Sequence, residues 1–280
     1  MADILFPYKT LPDEVHLTVD RAEFDTGAAH NDINQESRVI SLQDRAGKFE
    51  TTLLPGTDHI SNIPDLTWKI SGTGDFNGDG KADILWRNSS TGQLAIWEMN
   101  GTTLLPGTGY ISNIPDLTWK ISGTGDFNGD GKADILWRNS STGQLAIWEM
   151  NGTTLLPGTD YISNTPALTW QIARTVNGTG DANGDGLSDI FWYDTVTNQP
   201  AVWEMNGTTL LPGTDYISNT PALSWVIEDS GDYNGDGKTD LLWRNTATNQ
   251  VAVWELNGTQ LQPGTDYVST IASLDWQVAA

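Results

Sequence analysis

The chain has 280 residues, with 36 Asp and Glu against 14 Lys and Arg, which gives a formal net charge of −22. So acidic a chain repels a phosphate backbone, and we expect no nucleic-acid partner. The sequence has no cysteine, which excludes disulfides and thiolate metal sites, and no apolar run long enough for membrane insertion. The 29 glycines and 13 tryptophans, without a long amphipathic helical pattern, favour an all-β fold.

Residues 1–50 differ in character from the rest of the chain. Polar and apolar residues alternate over 15–19 (VHLTV) and 37–42 (SRVISL), the pattern of half-buried strands. The chain does not begin with a basic segment followed by an apolar one, so we expect no classical signal peptide. We interpret residues 1–50 as an attachment element or as an insertion, two alternatives that the sequence leaves equally open.

From residue 51 onward the chain is a tandem repeat. The string DFNGDGKAD at 75–83 recurs at 126–134, and close variants stand at 181–189 and 232–240. A period of roughly 50 residues is typical of a β-propeller blade. We therefore place a repeat domain at 51–280, with four complete repeats and a terminal half repeat over 259–280.

Each string places oxygen-bearing side chains at alternate positions around a glycine turn, which is the arrangement that a hard cation such as Ca²⁺ needs. Positions one, three, five and nine would donate side-chain oxygens. Position seven, which is Lys or Leu, would donate only its backbone carbonyl. Position twelve is tryptophan in every copy, so the bidentate Glu of an EF-hand is missing. The predicted metal ligands are Asp75, Asn77, Asp79, Lys81, Asp83, Asp126, Asn128, Asp130, Lys132, Asp134, Asp181, Asn183, Asp185, Leu187, Asp189, Asp232, Asn234, Asp236, Lys238 and Asp240.

These loops, each followed by a short apolar run such as ADILW or TDLLW, resemble the FG-GAP or VCBS-type repeats of integrin-α-like and bacterial β-propellers. The resemblance spans roughly residues 52–280 and is strong because the loop occurs four times. It implies that the loops hold Ca²⁺ between strands, with about four ions per chain. The alternative is a set of Asp, Asn and Gly turns that bind no metal.

Four strands per repeat are predicted, in the first repeat over 66–70, 82–86, 93–99 and 103–111. The chain is thus predicted to be an all-β β-propeller of four-stranded blades. The letters ADIL at 2–5 match those at 82–85, and the terminal half repeat stops where another loop would begin. We therefore predict five blades, one of them a composite blade closed by both termini, because closure removes exposed sheet edges.

The aromatic residues recur with the repeats. Tryptophans in the predicted strands are expected to be core, since rings with period-two neighbours usually pack between sheets. The turn tyrosines are better candidates for stacking on sugar faces. These tyrosines are Tyr110, Tyr161, Tyr216 and Tyr267.

Catalytic groups are scarce, so we predict that the protein is not an enzyme. The three histidines form no recurring constellation, and Glu98 and its equivalents Glu149, Glu204 and Glu255 occur once per repeat, whereas an active site is usually a single asymmetric set. A glycoside-active enzyme with two carboxylates is therefore the last alternative.

The leading hypothesis is a non-catalytic, calcium-stabilised propeller for surface recognition or adhesion. Repeated loops would present several weak sites, as in a lectin, and gain avidity for glycans or another repetitive surface. The alternative is a structural or decoration protein of a larger assembly such as a phage virion, bound to its assembly partners through residues 1–50. Both hypotheses place the protein outside the cell or on a virion surface, where calcium is abundant.

Overall fold

The computed structural model describes residues 17–20, 39–43, 49–50, 66–173, 179–263 and 266–270. Within these residues all regular structure is β-strand, which confirms the all-β prediction, and no helix is present that could cross a bilayer. The chain divides into two compact units, 1–59 and 60–280. In the first unit, β1 (Leu17–Asp20), β2 (Val39–Gln43) and β3 (Phe49–Glu50) form an antiparallel sheet in that order.

In the second unit each repeat folds into one four-stranded antiparallel sheet whose strands are neighbours in chain order. Sheet 1 consists of β4 (Trp68–Gly74), β5 (Asp83–Asn88), β6 (Gln93–Trp97) and β9 (Gly109–Asn113). Sheet 2 consists of β10 (Trp119–Gly125), β11 (Asp134–Asn139), β12 (Leu145–Trp148) and β15 (Asp160–Tyr161). Sheet 3 consists of β16 (Trp170–Ile172), β18 (Asp189–Asp194), β19 (Pro200–Trp203) and β22 (Asp215–Tyr216), with β17 (Thr179–Gly180) also paired to β18. Sheet 4 consists of β23 (Trp225–Gly231), β24 (Asp240–Asn245), β25 (Gln250–Trp254) and β28 (Asp266–Thr270).

A small two-stranded hairpin separates the third and fourth strands of every sheet. The hairpins are β7 (Met99–Asn100) with β8 (Thr103–Leu104), β13 (Met150–Asn151) with β14 (Thr154–Leu155), β20 (Met205–Asn206) with β21 (Thr209–Leu210), and β26 (Leu256–Asn257) with β27 (Gln260–Leu261). The prediction of one strand over 103–111 is therefore wrong. Pro106 has no N–H to donate and Gly107 follows it, so the segment breaks into β8 and β9.

Only part of the predicted terminal half repeat, 259–263 and 266–270, lies within the described residues. Residues of β28 pair with β25, so they complete sheet 4 rather than begin a further repeat. Residues 2–5 and 271–280, on which the composite blade depends, lie outside the described residues.

Each sheet has an aliphatic face and an aromatic face. Residues directly opposite each other on neighbouring strands share a face. In sheet 1, Leu85 is opposite Ile96 on the aliphatic face, and Trp86 is opposite Ala95 on the aromatic face. The same register recurs in the other sheets. Because both faces are apolar, each sheet needs a cover on both sides.

Consecutive sheets pack together in chain order, with the aliphatic face of one sheet against the aromatic face of the next. Between sheets 1 and 2, a buried cluster contains Leu85, Leu94 and Ile96 with Ile135 and Trp137. Between sheets 2 and 3, a second contains Leu136, Leu145 and Ile147 with Ile190 and Trp192. Between sheets 3 and 4, a third contains Phe191 and Val202 with Leu241 and Trp243. The buried tryptophans confirm the expectation that these strand rings are core.

Sheet 4 differs from the others on its aliphatic face. Tyr233 is 46% exposed, whereas its equivalents Phe76 and Phe127 are fully buried by the sheet that follows. Leu242 and Val253 on the same face are only partly buried. No fifth sheet follows in the part of the chain that the structure describes.

A left-handed turn between the second and third strands helps to place the linker to the next sheet. The residue with positive φ in this turn is Gly92 in sheet 1, Gly143 in sheet 2, Asn198 in sheet 3 and Asn249 in sheet 4, and the four φ angles lie between 61° and 80°. Asn is the non-glycine residue that best tolerates this conformation. The Asn198 side chain donates to the backbone carbonyls of Ala222 and Trp225 at 3.1 and 2.8 Å, so it also anchors the next linker.

Gly92→Ala should destabilise the protein more than Gly101→Ala. A Cβ at Gly92 would lie 1.9 Å from the carbonyl oxygen of Ile114, whereas a Cβ at Gly101, which also has positive φ, meets nothing within 4 Å. We expect Gly101→Ala to lower the unfolding free energy by about 1–2 kcal/mol through backbone strain alone, and Gly92→Ala to lower it by clearly more. Urea unfolding measures both values, and equal losses would contradict the clash.

Candidate metal-binding loops and aromatic surface

The four predicted loops connect the first strand of a sheet to the second. In sheet 1 the loop follows Gly74 at the end of β4 and reaches β5 at Asp83. Its glycines, Gly78 and Gly80, have φ of 79° and 82°, a conformation open to glycine at little cost. The corresponding glycines of the other loops have the same conformation, so the four loops share one backbone turn.

The first-position carboxylate organises this turn. Asp75 accepts the backbone N–H groups of Gly78, Asp79 and Gly80 at 2.7, 3.0 and 2.7 Å. Equivalent bonds are made by Asp126, Asp181 and Asp232. The N–H donors at Gly237, Gly235, Asp236 and Asn234 hold the pKa of Asp232 below its usual value. The backbone N–H groups of the turn thus hold an ionised carboxylate in place, and no other side chain is needed for this.

The third and fifth positions bond within the turn and leave oxygen lone pairs at the surface. Asn77 accepts the N–H of Asp79 at 2.9 Å, and Asp79 accepts the N–H of Lys81 at 3.0 Å. Asn128, Asn183 and Asn234, and Asp130, Asp185 and Asp236, do the same in their loops. The Lys81 ammonium lies 2.9 Å from Asp79, and this hydrogen bond lowers the pKa of that exposed carboxyl.

The seventh position has a packing role that the sequence did not reveal. A Cβ added to Gly78 would lie 3.3 Å from the Lys132 side chain of the next loop, and one added to Gly129 would lie 2.8 Å from Leu187. Lys238 lies in the same way over Gly184. The side chain at this position therefore covers the preceding loop, which an aliphatic stem of either Lys or Leu can do.

Backbone hydrogen bonds also join consecutive loops. The N–H of Ala133 donates to the carbonyl of Asp75 at 2.7 Å, and Ser188 and Thr239 donate in the same way to Asp126 and Asp181. Gly152 donates to the carbonyl of Phe76, again at 2.7 Å. The four loops therefore form a continuous row along one edge of the stacked sheets.

The ninth-position aspartates are buried, unlike the rest of the loop. Asp83 accepts the N–H of Phe76 at 2.9 Å with one oxygen and that of Met99 at 2.8 Å with the other. Asp134, Asp189 and Asp240 make the equivalent pair of bonds. Each aspartate thus ties the loop to the hairpin that follows the third strand, a structural role that the sequence analysis missed.

Burial of these aspartates disfavours their charged form. Desolvation raises the pKa of Asp134 to about 7 and that of Asp189 to about 7, although two backbone N–H donors oppose the shift in each case. It also raises the pKa of Asp83 and Asp240. A nearby cation would reverse this preference, because it favours the ionised carboxylate.

The loops offer an oxygen-only donor set, which suits a hard cation. The turn around Asp75, Asn77 and Asp79 is already formed, and these three side chains come from one exposed segment. Asp83 lies inward, and Asp79 is paired with Lys81. Within the described residues, no three acidic or histidine side chains converge closely enough to form a metal cluster. Cation binding in the first loop would therefore require Asp79 to exchange the Lys81 ammonium for the ion.

The repeated glutamates of the sequence WEMNG are packed against glycines. A Cβ added to Gly107 would lie 1.8 Å from the Glu98 carboxylate, and one added to Gly152 of the next repeat would lie 2.6 Å from it. Glu149 and Glu204 have the same neighbours in their repeats. Packing between repeats thus explains why this glutamate occurs once in each repeat.

Exposed tyrosines recur beside tryptophans that are buried or partly buried on the aromatic faces. Tyr110, Tyr161 and Tyr216 are 63%, 56% and 59% exposed, as expected for candidate ligand-stacking rings. Their ring centroids lie 5.9, 5.8 and 5.5 Å from those of Trp68, Trp119 and Trp170. The side chain of Tyr267 lies outside the described residues. Each of the three described pairs presents an amphipathic aromatic surface to solvent.

Comparison with known proteins finds one family in this chain. The profile of the FG-GAP-like repeat matches residues 75–137, 126–192 and 181–243. The chain is also 33% identical over 81 residues to protein linkin of Caenorhabditis elegans, a match that covers 26% of this chain and 14% of linkin. The chain therefore corresponds to only a small part of that longer relative.

Two solved structures are similar over most of the chain but at low TM-scores. The Tc holotoxin pore of Photorhabdus luminescens gives a TM-score of 0.42 at 14% identity, covering 94% of this chain and 11% of that one. A putative 6-phosphogluconolactonase from Bacteroides fragilis gives 0.38 at 20% identity, covering 83% and 65%. At these scores neither structure supports a conclusion about function.

Asp134 and Asp189 should make the metal-free protein less stable as the pH rises. Because their folded pKa of about 7 lies above 3.8, the ordinary pKa of an aspartate, the folded state binds protons more tightly than the unfolded state. The stabilisation is complete below about pH 4 and is lost as the pH rises through 7. In EDTA we expect the thermal midpoint to fall by a few degrees between pH 6 and 8.

Asp189→Asn, a neutral isostere, should reduce this pH dependence, whereas Asp160→Asn at an exposed carboxylate should leave it unchanged. Calorimetric scans at matched ionic strength would compare the three proteins. An identical dependence in the Asp189→Asn variant would show that the buried carboxyls are not its source.

Proposed function

Because the chain belongs to the FG-GAP-like repeat family, we propose that it is a non-catalytic, calcium-stabilised β-propeller that recognises a surface outside the cell. The observation that carries this proposal is the continuous row of four loops, in which each loop repeats the same hydrogen-bonded turn. A row of equivalent sites suits repeated, multivalent contacts better than one catalytic centre.

Calcium is the proposed ion because the loops provide carboxylate and amide oxygens and no nitrogen or sulfur ligands. In the first loop Asp75, Asn77 and Asp79 would hold the ion, with the carbonyl of Lys81. Asp83 would support the site from beneath. About four ions would reduce the net charge of −22 by 8, to −14. The ions would thereby offset the repulsion between neighbouring acidic loops.

A propeller is the proposed arrangement of the stacked sheets. The aliphatic face of each sheet packs against the aromatic face of the next sheet. This order of packing can be continued around a closed ring. The partly exposed aliphatic face of sheet 4 is where a further blade would pack, and five blades remain the proposed number. Closure would remove the unpaired outer surfaces that an open stack leaves at its ends.

Glycans are the proposed class of ligand for this surface. The exposed rings of Tyr110, Tyr161 and Tyr216 recur once per sheet, so a repetitive carbohydrate could contact several of them at once. Individually weak contacts would combine into useful avidity. The protein would then act as an adhesive, lectin-like module.

A second candidate function is that of a structural or decoration protein in a larger assembly such as a virion. It is favoured by the division of the chain into two compact units, since residues 1–50, the proposed anchor, belong to the first of them. Both candidates place the repeat unit on an exterior surface.

Calcium should bind about four sites and stabilise the fold. We expect calorimetric titration of the EDTA-stripped protein to give dissociation constants of about 0.1–1 mM, the range of extracellular modules. At a tenfold excess over this constant, each site should add about 1.4 kcal/mol to the unfolding free energy.

Substituting Asp79, Asp130, Asp185 and Asp236 with Ala together should abolish the calcium binding and the stabilisation. Asp160→Ala, which removes an exposed carboxylate outside the loops, is the matched control. If the stripped protein showed neither heat of binding nor a shift in thermal midpoint, the loops would be turns without metal.

The calcium-loaded chain should adhere to surfaces coated with neutral glycans more strongly than it binds the same glycans free in solution. Avidity from several sites should improve apparent affinity by at least about 100-fold. Surface plasmon resonance on dense and sparse glycan surfaces would separate multivalent adhesion from binding at a single site. Retention by virion proteins through residues 1–50, without glycan adhesion, would favour the second candidate.

A further inference from the structure

A cavity of about 290 Å³ lies on the aromatic face of sheet 3. Its wall is formed by strands of that sheet and by residues 164–167 of the linker from sheet 2. The volume is at the lower end of the range for small-molecule sites. The cavity is separate from the loop row, since none of its lining residues belongs to a predicted metal loop.

Four of the ten residues that line the cavity are aromatic. The Trp170 and Tyr216 rings stack with centroids 5.5 Å apart and an interplanar angle of 28°. Trp192 and Trp203 lie 5.0 Å apart at 53°. Tyr216 is largely exposed while Trp170 and Trp203 are partly buried, so the rings offer apolar faces to a ligand that enters from solvent.

Polar groups in the wall have unused hydrogen-bonding capacity. The Nε1–H of Trp192 is buried and has no acceptor among the described residues, but the same holds for its equivalents Trp86, Trp137 and Trp243. This unpaired donor therefore recurs in every sheet and is not particular to the cavity. The carboxylate of Asp215 is exposed and, among the described residues, accepts the N–H of Tyr216, and the exposed Asn164 is also part of the lining.

We propose that this cavity binds one neutral pyranose unit of a glycan, an inference that rests on the glycan recognition proposed above. A pyranose presents C–H groups that pack on aromatic faces and hydroxyl groups that both donate and accept hydrogen bonds. Its hydroxyls would donate to the carboxylate of Asp215 and accept from the amide of Asn164, and its C–H face would pack on the exposed Tyr216 ring. An anionic sugar is disfavoured by Asp215 and by the net charge of −22.

Sheet 2 provides an internal comparison for the cavity. It carries Trp119 and Tyr161 where sheet 3 has Trp170 and Tyr216, but Asp116 stands in place of Ala167, whose side chain lines the cavity. The Asp116 carboxylate accepts the backbone N–H and the hydroxyl of Thr118 at 2.9 and 2.7 Å, and it adds a second negative charge at this position. We therefore place the pyranose cavity in sheet 3, while the exposed tyrosines of sheets 1 and 2 would make only surface contacts with a longer glycan.

The test uses the full chain loaded with Ca²⁺ and a panel of methyl pyranosides of glucose, galactose, mannose and N-acetylglucosamine. Saturation-transfer NMR and calorimetric titration measure their binding. We expect at least one pyranoside to bind with a millimolar constant, and both Tyr216→Ala and Ala167→Asp to weaken it about tenfold.

Val196→Ala is the matched control and should leave pyranoside binding unchanged, because it shortens an exposed side chain of sheet 3 that belongs neither to the cavity lining nor to the tyrosine surface. Ala167→Asp introduces a residue that repeat 2 already carries at this place, so the fold should accept it. Thermal unfolding of every variant confirms that losses of binding are not losses of folding.

The outcomes separate this inference from the proposed function. Adhesion to glycan surfaces that survives both Tyr216→Ala and Ala167→Asp, or a wild type that adheres but binds no free pyranoside, overturns the cavity as the sugar site. Pyranoside binding that these two variants abolish supports the cavity even if the chain fails to adhere to glycan surfaces. In that case the multivalent function is wrong and the site stands.

Discussion

The fold depends on one buried carboxylate in each repeat. Asp83 receives the N–H of Phe76 from its own loop and that of Met99 from the hairpin after the third strand, and three further aspartates repeat this pair of bonds. Both oxygens are occupied by fixed backbone donors, so the loop and hairpin have one mutual arrangement. This arrangement sets where the loop can meet the loop of the next sheet.

Stacking of the sheets follows from that fixed geometry. Small residues such as Gly74 and Ala133 face each other across the sheet boundary, where a Cβ on Gly74 would come within 2.5 Å of the Ala133 Cβ. The close approach lets Ala133 donate to the carbonyl of Asp75. The loops are thereby brought side by side. The acidic row therefore forms only when neighbouring repeats pack together, and no single repeat contains it.

The loop row and the cavity use different parts of the same sheet. The loops lie at one edge and take their shape from backbone hydrogen bonds, whereas the cavity is built by side chains such as Trp170 and Tyr216 on one face. A rigid sheet can support both without coupling their chemistry. Small changes on the aromatic face, such as Asp116 in one repeat and Ala167 in the next, can then alter a site while the scaffold is retained.

The sequence alone determined the all-β class, the repeat period, the turn glycines and the buried strand tryptophans, because each follows from local spacing. It failed at residues 103–111, where Pro106 divides the predicted strand, and it could not show that Asp83 lies inward. The burial of Asp83, the row of loops and the cavity over Trp192 were decided only by tertiary structure. They depend on contacts between residues distant in the chain, and a repeat's own pattern does not specify which neighbour will cover it.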